Sequence, residues 1–298
     1  LLCDVSFSDP SENDTELQEQ FDRLSNYIVS YSPGENIEDS NIVFNAEKAV
    51  SGYETFNIDK FIKFKLVQND SLKSMPLRMY EELHNTRLRK GNSFYRIGKE
   101  FILNSFIVDF EIWPFDVSNN NGANYDLINL GDFDFIPDSA FKKLTNNRII
   151  ILGDYELNDI HETLYGPMSG PLILLNTFLA LEDGDNVISP FFVIYLFICF
   201  FLISGFSLDF ETKERRKLYI FKFKNTFIDE ALEFLTYVFF LSLISSISFF
   251  LFNIHLTILL FASYLYFLDF INKYLVNRQL KSPKSENVFY SFDDGVDA

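Results

Sequence analysis

Residues 148–176 read RIIILGDYELNDIHETLYGPMSGPLILLN, and the reading of this stretch decides the fold. Arg148–Leu152 is short, apolar and β-branched, which is the pattern of a buried strand. Gly153-Asp154 ends it. Ser169-Gly170-Pro171 then opens a helix that reads Pro171–Leu181, with proline suited to the first turn. Between strand and helix lies Asp159-Ile160-His161-Glu162, read as a strand-to-helix loop. Such a loop sits at the carboxyl end of its strand, where open α/β sheets gather ligands.

Working back toward the start, the remaining elements alternate in type. Leu1–Phe7 reads as a strand end, Thr15–Tyr27 as a helix with Leu17, Phe21 and Leu24 on one face, and Tyr27–Tyr31 as a strand. Asn41–Phe44 and Phe61–Leu66 read as strands, and Met75–Leu83, with its early proline, as a helix. Phe94–Ile97, Phe101–Leu103 and Phe106–Phe110 suggest antiparallel strands, Ser118–Gly122 a loop, and Ser139–Leu144 a short helix. The fold class expected is α/β, a mixed sheet with flanking helices. No internal repeat is visible.

The 298 residues carry a net charge of −17 and are 48% hydrophobic, with 36 Phe and 15 Tyr. The negative charge lies almost wholly before Ile188, which argues against a nucleic-acid partner, since that needs a basic surface. Cys3 and Cys199 are the two cysteines, too few and too far apart for a disulfide framework or a thiolate metal site.

After Ile188 come apolar runs at about 190–208, 231–252 and 254–271, each near the roughly 20 residues that a membrane helix needs. Lysine and arginine cluster after the first run (Lys213, Arg215, Arg216, Lys217, Lys222, Lys224) and after the third (Lys273, Arg278, Lys281, Lys284). The positive-inside rule then predicts a multi-pass protein of the inner membrane. Residues 1–187 form an extracytoplasmic domain, 188–272 three transmembrane helices in the lipid bilayer, and 273–298 a cytoplasmic tail. Asp269 and His255 fall near span ends and read as interfacial anchors. The start at Leu1, without Met, reads as a fragment or a processed start.

Among motifs, no P-loop, dinucleotide fingerprint or H-E-x-x-H occurs. Gly166-Pro-Met-Ser169-Gly170 has the wrong spacing for a nucleophile elbow. Asp159 with His161 offers oxygen and nitrogen ligands, and Glu162 adjoins them. A coordination sphere would need partners from elsewhere. Asp154 is near in sequence, and Asp4, Asp9 and Asp14 come near in space if strand Leu1–Phe7 neighbours strand Arg148–Leu152.

Two segments carry a resemblance. Asp4-Val-Ser-Phe-Ser-Asp-Pro-Ser-Glu-Asn-Asp14-Thr-Glu-Leu17 resembles the "D-v-l-F-x-(D/E)-P…D…L" segment of type-two CHASE domains, sensory modules associated with cyclases and histidine kinases. Arg148–Asp154, with Asp159, Thr163, Gly166 and Met168-Ser-Gly170, resembles that family's C-terminal segment, and Asn176 falls at its His-Ala or Asn-Ala position. The resemblance implies sensing of a small molecule outside the membrane and relay to a separate cytoplasmic signalling protein, with no cofactor. Asp154, Asp159, His161 and Thr163 are the candidate ligand-binding residues. The alternative expectation is a membrane-bound metal-dependent hydrolase using Asp159 and His161.

Overall fold

The protein is described here from a computed structural model, which describes residues 1–5, 7, 10–24, 26–31, 47–51, 61, 63–69, 71–91, 94–118, 125–156, 158–209, 226–254, 256, 261–264, 267–268 and 270–271. The chain divides into two compact units, Leu1–Phe192 with Ser248–His255, and Val193–Ile247 with Leu256–Ala298.

In the first unit, β1 (Leu2–Cys3), α1 (Asp14–Phe21), β2 (Ile28–Tyr31) and β3 (Glu47–Val50) follow one another along the chain. Helix α1 stops at Phe21, short of the expected Tyr27, because the chain turns back to stack Tyr27 on Phe21 with ring centroids 5.1 Å apart. Next come β4 (Phe64–Lys65), β5 (Val67–Gln68), β6 (Leu72–Lys73) and α2 (Met75–Leu83). An antiparallel meander of β7 (Leu88–Lys90), β8 (Tyr95–Ile97) and β9 (Glu100–Ile102) follows, in which β8 and β9 fall at the expected strands Phe94–Ile97 and Phe101–Leu103 and β7 is an addition to them. β10 (Ser105–Phe106) pairs antiparallel with β4, and the expected strand does not continue to Phe110. Two short helices, α3 (Pro114–Ser118) and α4 (Asp138–Thr145), precede β11 (Ile151–Leu152). The hairpin β12 (Ile160–Thr163) and β13 (Gly166–Ser169) leads into α5 (Gly170–Asp183).

The central sheet has the order β11-β1-β2-β3, and every pair in it is parallel. The conditional neighbour relation therefore holds: Leu2 pairs with Ile151 and Cys3 with Leu152. Leu2, Ile28 and Ala49 face one large core with Leu77, Ile173, Leu174 and Phe178 of α2 and α5. The near-continuous apolar character of β1 and β2 is that of parallel strands covered by other elements.

Two buried polar side chains tie this core together. Asn176 of α5 is fully buried and behaves like a strand partner to Ile112: its Oδ1 accepts the Ile112 N–H at 2.8 Å and its Nδ2 donates to the Ile112 carbonyl at 2.9 Å. Glu81 of α2 is also fully buried. Lys73 Nζ donates to both its oxygens at 2.6 and 2.8 Å, and the Leu88 N–H donates to Oε1 at 2.6 Å. That one carboxylate joins β6, α2 and β7.

The second unit holds most of α6 (Pro190–Asp209) and of α7 (Thr226–Phe252). Cys199, Ile203, Leu241, Ile244 and Phe261 form its buried cluster. Tyr195 Oη donates to the Ile244 carbonyl at 2.7 Å, and the Ser204 and Tyr264 hydroxyls share a hydrogen bond at 2.7 Å.

The expectation of a transmembrane region is overturned. Among the described residues no helix is long and apolar enough to cross a membrane. The three expected spans (190–208, 231–252 and 254–271), and the multi-pass inner-membrane localisation that rested on them, fall together. An apolar run in sequence does not distinguish a span from a helix that packs on its neighbours, and here the runs supply the packed cluster around Cys199. Helix α7 also begins earlier than expected, taking in Asp229 and Glu230, and the chain leaves it at Asn253 in the left-handed region (φ 52°). His255, Asp269, the basic connection 211–225, the strand Asn41–Phe44 and the tail 273–298 lie outside the described residues.

Two substitutions test the core. Asn176→Leu strands both backbone groups of Ile112, each worth roughly 1–3 kcal/mol when left unpaired, so a loss of about 2–4 kcal/mol is expected in urea unfolding. Glu81→Ala leaves the Lys73 ammonium and the Leu88 N–H without their acceptor and is expected to cost about 3 kcal/mol, as broken buried ion pairs do. Wild-type midpoints in either variant would mean that these side chains do not bind the layers together.

Candidate functional site at the carboxyl edge of the parallel sheet

Side chains two residues apart on a strand share a face. Leu2 faces the core, so Asp4, two residues on, lies on the same face just beyond the carboxyl end of β1. Ile28 then Ser30 and Ile151 then Gly153 lie level with Leu2 and Asp4, while on β3 Ala49 lies beside Ser30 and Ser51 follows it on the same face. Each parallel strand thus places an apolar residue in the core and a polar or small one at its carboxyl edge. The four positions converge because parallel strands end on the same side.

The convergence is direct. The Ser30 and Ser51 hydroxyls share a hydrogen bond at 2.6 Å, and both act to stabilise the charged form of the Asp4 carboxyl beside them. Gly153 matters because a side chain there would strike the Pro171 ring, which closes over this edge at the start of α5, and would come within 3.4 Å of Asp4 Cβ.

The hairpin supplies the remaining groups. Asp159-Ile160-His161-Glu162 is not the loop expected from the sequence: Ile160–Thr163 is strand β12, paired antiparallel with Gly166–Ser169. Asp159 and His161 are two residues apart and share one side, where His161 Nε2 lies 2.6 Å from Asp159 Oδ1. Both are about one-third exposed, so the pair is open to a ligand. The Asp159 carbonyl accepts the Gly170 N–H at 2.7 Å, and its carboxylate lies over Gly170 where a Cβ would otherwise stand. The hairpin is pinned to the core by the Phe61 N–H, which donates to the Glu162 carbonyl at 2.6 Å.

The candidate residues named from the sequence separate into two groups. Asp159 and His161 belong to the polar edge, with Asp4 acting on both. Asp154 instead folds its own loop, accepting the Glu156 N–H at 2.9 Å and the Asn158 N–H at 3.0 Å. Thr163 is buried and serves the hairpin turn, donating to the Gly166 carbonyl at 2.7 Å and accepting the Tyr165 N–H at 3.1 Å. Asp14 opens α1 and holds the turn before it, accepting the Ser11 N–H and hydroxyl at 2.7 and 2.8 Å, and Asp9 lies outside the described residues. Ser30, Ser51 and Tyr155 were not named from the sequence, although the apolar-then-polar spacing at strand ends was there to be read.

Burial pushes the Asp4 carboxyl up to about 6, and the Asp159 charge adds to the rise, while the two serine hydroxyls and His161 oppose it. Burial also pushes the Tyr155 phenol up to about 12, helped by the Asp4 charge. The described residues contain no group of three or more His, Cys, Asp or Glu side chains placed to hold a metal ion. Beside the polar edge, an open cleft of about 1090 Å³ is lined by Tyr125, Phe133, Phe141, Ile150 and Phe178 among others. It shares Gly153 and Tyr155 with the edge but not Asp4, Asp159 or His161, so those groups lie outside it.

Between the ordinary carboxylate value and about 6, folded Asp4 holds a proton that the unfolded chain has released. Its contribution is therefore present at low pH and is lost as pH rises through 6. Asp4→Asn is expected to raise stability at pH 7 by up to ~2–3 kcal/mol and to change little at pH 4. Urea unfolding at the two pH values checks this, and an unchanged slope against pH would assign the proton to another group.

No family model, curated protein or solved structure matches the chain.

Proposed function

We propose that the first unit is a ligand-binding sensory domain, of the kind that the type-two CHASE resemblance implies, with its site at the carboxyl edge of the parallel sheet. The observation that carries the reading is the convergence of Asp4, Ser30, Ser51, Asp159 and His161 from three strands and a hairpin. A buried carboxylate beside a second one disfavours the empty folded state at neutral pH, and such groups concentrate at functional sites. The position agrees with the rule that ligands bind beyond the carboxyl ends of parallel strands.

The site also has a structural route outward. Asp159 is bonded to the first residue of α5, and α5 runs from Gly170 through the core to Asp183. A ligand that moves Asp159 pushes on the start of that helix. A metal-dependent hydrolase is the weaker reading, because Asp159 and His161 gain no third ligand among the described residues.

A thermal-shift screen of the chain against small polar metabolites tests the reading. Binding compounds are expected to raise the unfolding temperature of wild type and to lose that effect in His161→Ala. A screen with no stabilising compound, or one whose effects survive in the variant, would remove the site from consideration.

A further inference from the structure

Within the second unit, helix α6 carries two opposite apolar faces. Leu196, Cys199, Phe200 and Ile203 follow helical spacing and pack into the unit's buried cluster. Ile194, Phe197, Ile198 and Phe201 have the same spacing on the opposite side and are exposed. Phe197 is 71% and Phe201 68% exposed, against 5% for Cys199 and 3% for Ile203. Helix α7 repeats the arrangement, with Leu241 and Ile244 buried in the cluster and Phe239 and Leu243 exposed on the far side.

A helix that packs on one side ordinarily keeps charged residues on the other. Here no Asp, Glu, Lys or Arg lies between Pro190 and Leu208, and Glu233 alone lies between Ala231 and Phe252. The hydroxyls of these helices are spent within the unit. Tyr195 donates to the Ile244 carbonyl and Ser245 to that of Leu256 at 3.0 Å, while Ser204 and Tyr264 bond each other. Ser246, which is exposed, donates back to the Ser242 carbonyl of its own helix at 2.9 Å.

We propose that the second unit docks on an anionic lipid surface through this outer face of α6 and α7. The contact is with one surface of the bilayer and asks no helix to cross it. It stands apart from the ligand-binding reading of the first unit.

The chemistry of the face selects lipid over protein. A protein interface carries about ten hydrogen bonds and a polar rim, whereas this face offers aromatic and aliphatic side chains, and the hydroxyls beside them are already used. Acyl chains ask for no hydrogen bond. Large exposed apolar patches mark contact surfaces, and the charge along the sequence says which kind this one is. Residues 211–224 hold six Lys or Arg against two Glu, and residues 273–284 hold four against no acid, in a chain whose net charge is −17. These basic stretches flank the apolar helices in sequence, and basic segments beside an apolar helix are drawn to anionic headgroups. A second copy would instead bring together two chains of −17 each.

Co-sedimentation of the full chain with vesicles tests the proposal. The vesicles are phosphatidylcholine alone, and phosphatidylcholine with phosphatidylglycerol in roughly equal parts. The chain is expected to bind both, about tenfold more tightly to the anionic ones, an advantage that high salt removes. Phe197→Glu and Phe201→Glu are each expected to weaken binding to both kinds about tenfold while the wild-type unfolding temperature is kept. Phe201→Ala, a milder change at the same face, is expected to act in the same direction, so a Glu variant that misfolds leaves the test intact. Replacing Arg215, Arg216 and Lys217 together by Gln is expected to remove the preference for anionic vesicles and to leave binding to phosphatidylcholine. Light scattering without vesicles addresses the other occupant: a dimer that Phe197→Glu returns to monomer gives the face to a second copy and overturns the proposal. Vesicle binding that is absent, that survives all three phenylalanine substitutions, or that shows no preference for the anionic vesicles overturns it as well.

Discussion

The parallel pairing of β1 with β11 is the contact on which the rest depends. It joins the start of the chain to a strand near the end of the first unit, with Leu2 hydrogen-bonded to the Ile150 carbonyl and Asp4 to that of Leu152 at 2.8 and 2.7 Å. Closing so long a loop costs conformational entropy that only a buried, fully paired strand can offset. Both partners are accordingly apolar, and β1 is buried on either side. Once that pair forms, its polarity fixes where Asp4 and Gly153 emerge. The site is a consequence of sheet direction and needs no special loop.

The same pairing explains a tension at Asp4. A residue placed there for stability alone would be neutral, since the position is desolvated and faces a second carboxylate. Burying a charge without a full partner is unfavourable, and the two serine hydroxyls only reduce that cost. The contrast with Glu81 is instructive. Glu81 is more deeply buried, yet it meets an ammonium at two contacts and a backbone N–H at a third. One carboxylate meets a lysine ammonium at 2.6 Å, whereas the groups acting on the other are a second carboxylate, two hydroxyls and an imidazole.

Much of this was legible in residue order, for reasons that can be stated. The helix Met75–Leu83 and the helix at Pro171 announce themselves through apolar runs and proline, and of the expected strand Arg148–Leu152 only Ile151–Leu152 pairs in the sheet. The pairing of the first strand with Arg148–Leu152 was open as a condition, because a sequence gives no distance between remote segments. The hairpin was missed. Asp-Ile-His-Glu-Thr alternates apolar and polar weakly, and its partner Gly166–Ser169 contains proline, which is uncommon inside a ladder. The transmembrane reading failed because hydropathy measures residue character alone. Tyr195, Ser204 and Ser245 spend their hydroxyls on contacts within the second unit, and such bonds are invisible to a sum over apolar residues.

The hairpin changes what the Asp159–His161 pair means. In a helix, residues two apart point to different sides, and in a loop their relation is undetermined. On an extended strand they must lie on one side, so the carboxylate–imidazole contact follows from local backbone geometry. Three tethers then set the position of that pair: the β12–β13 ladder, the Phe61 N–H on Glu162, and the Gly170 N–H on Asp159. The last also begins α5, whose interior is fixed by Asn176 and by the core around Ile173. Asp159 therefore joins a one-third-exposed side chain to the first residue of a buried helix, through its own backbone carbonyl. The glycine beneath the carboxylate is what leaves room for it, since a Cβ there would strike both its oxygens.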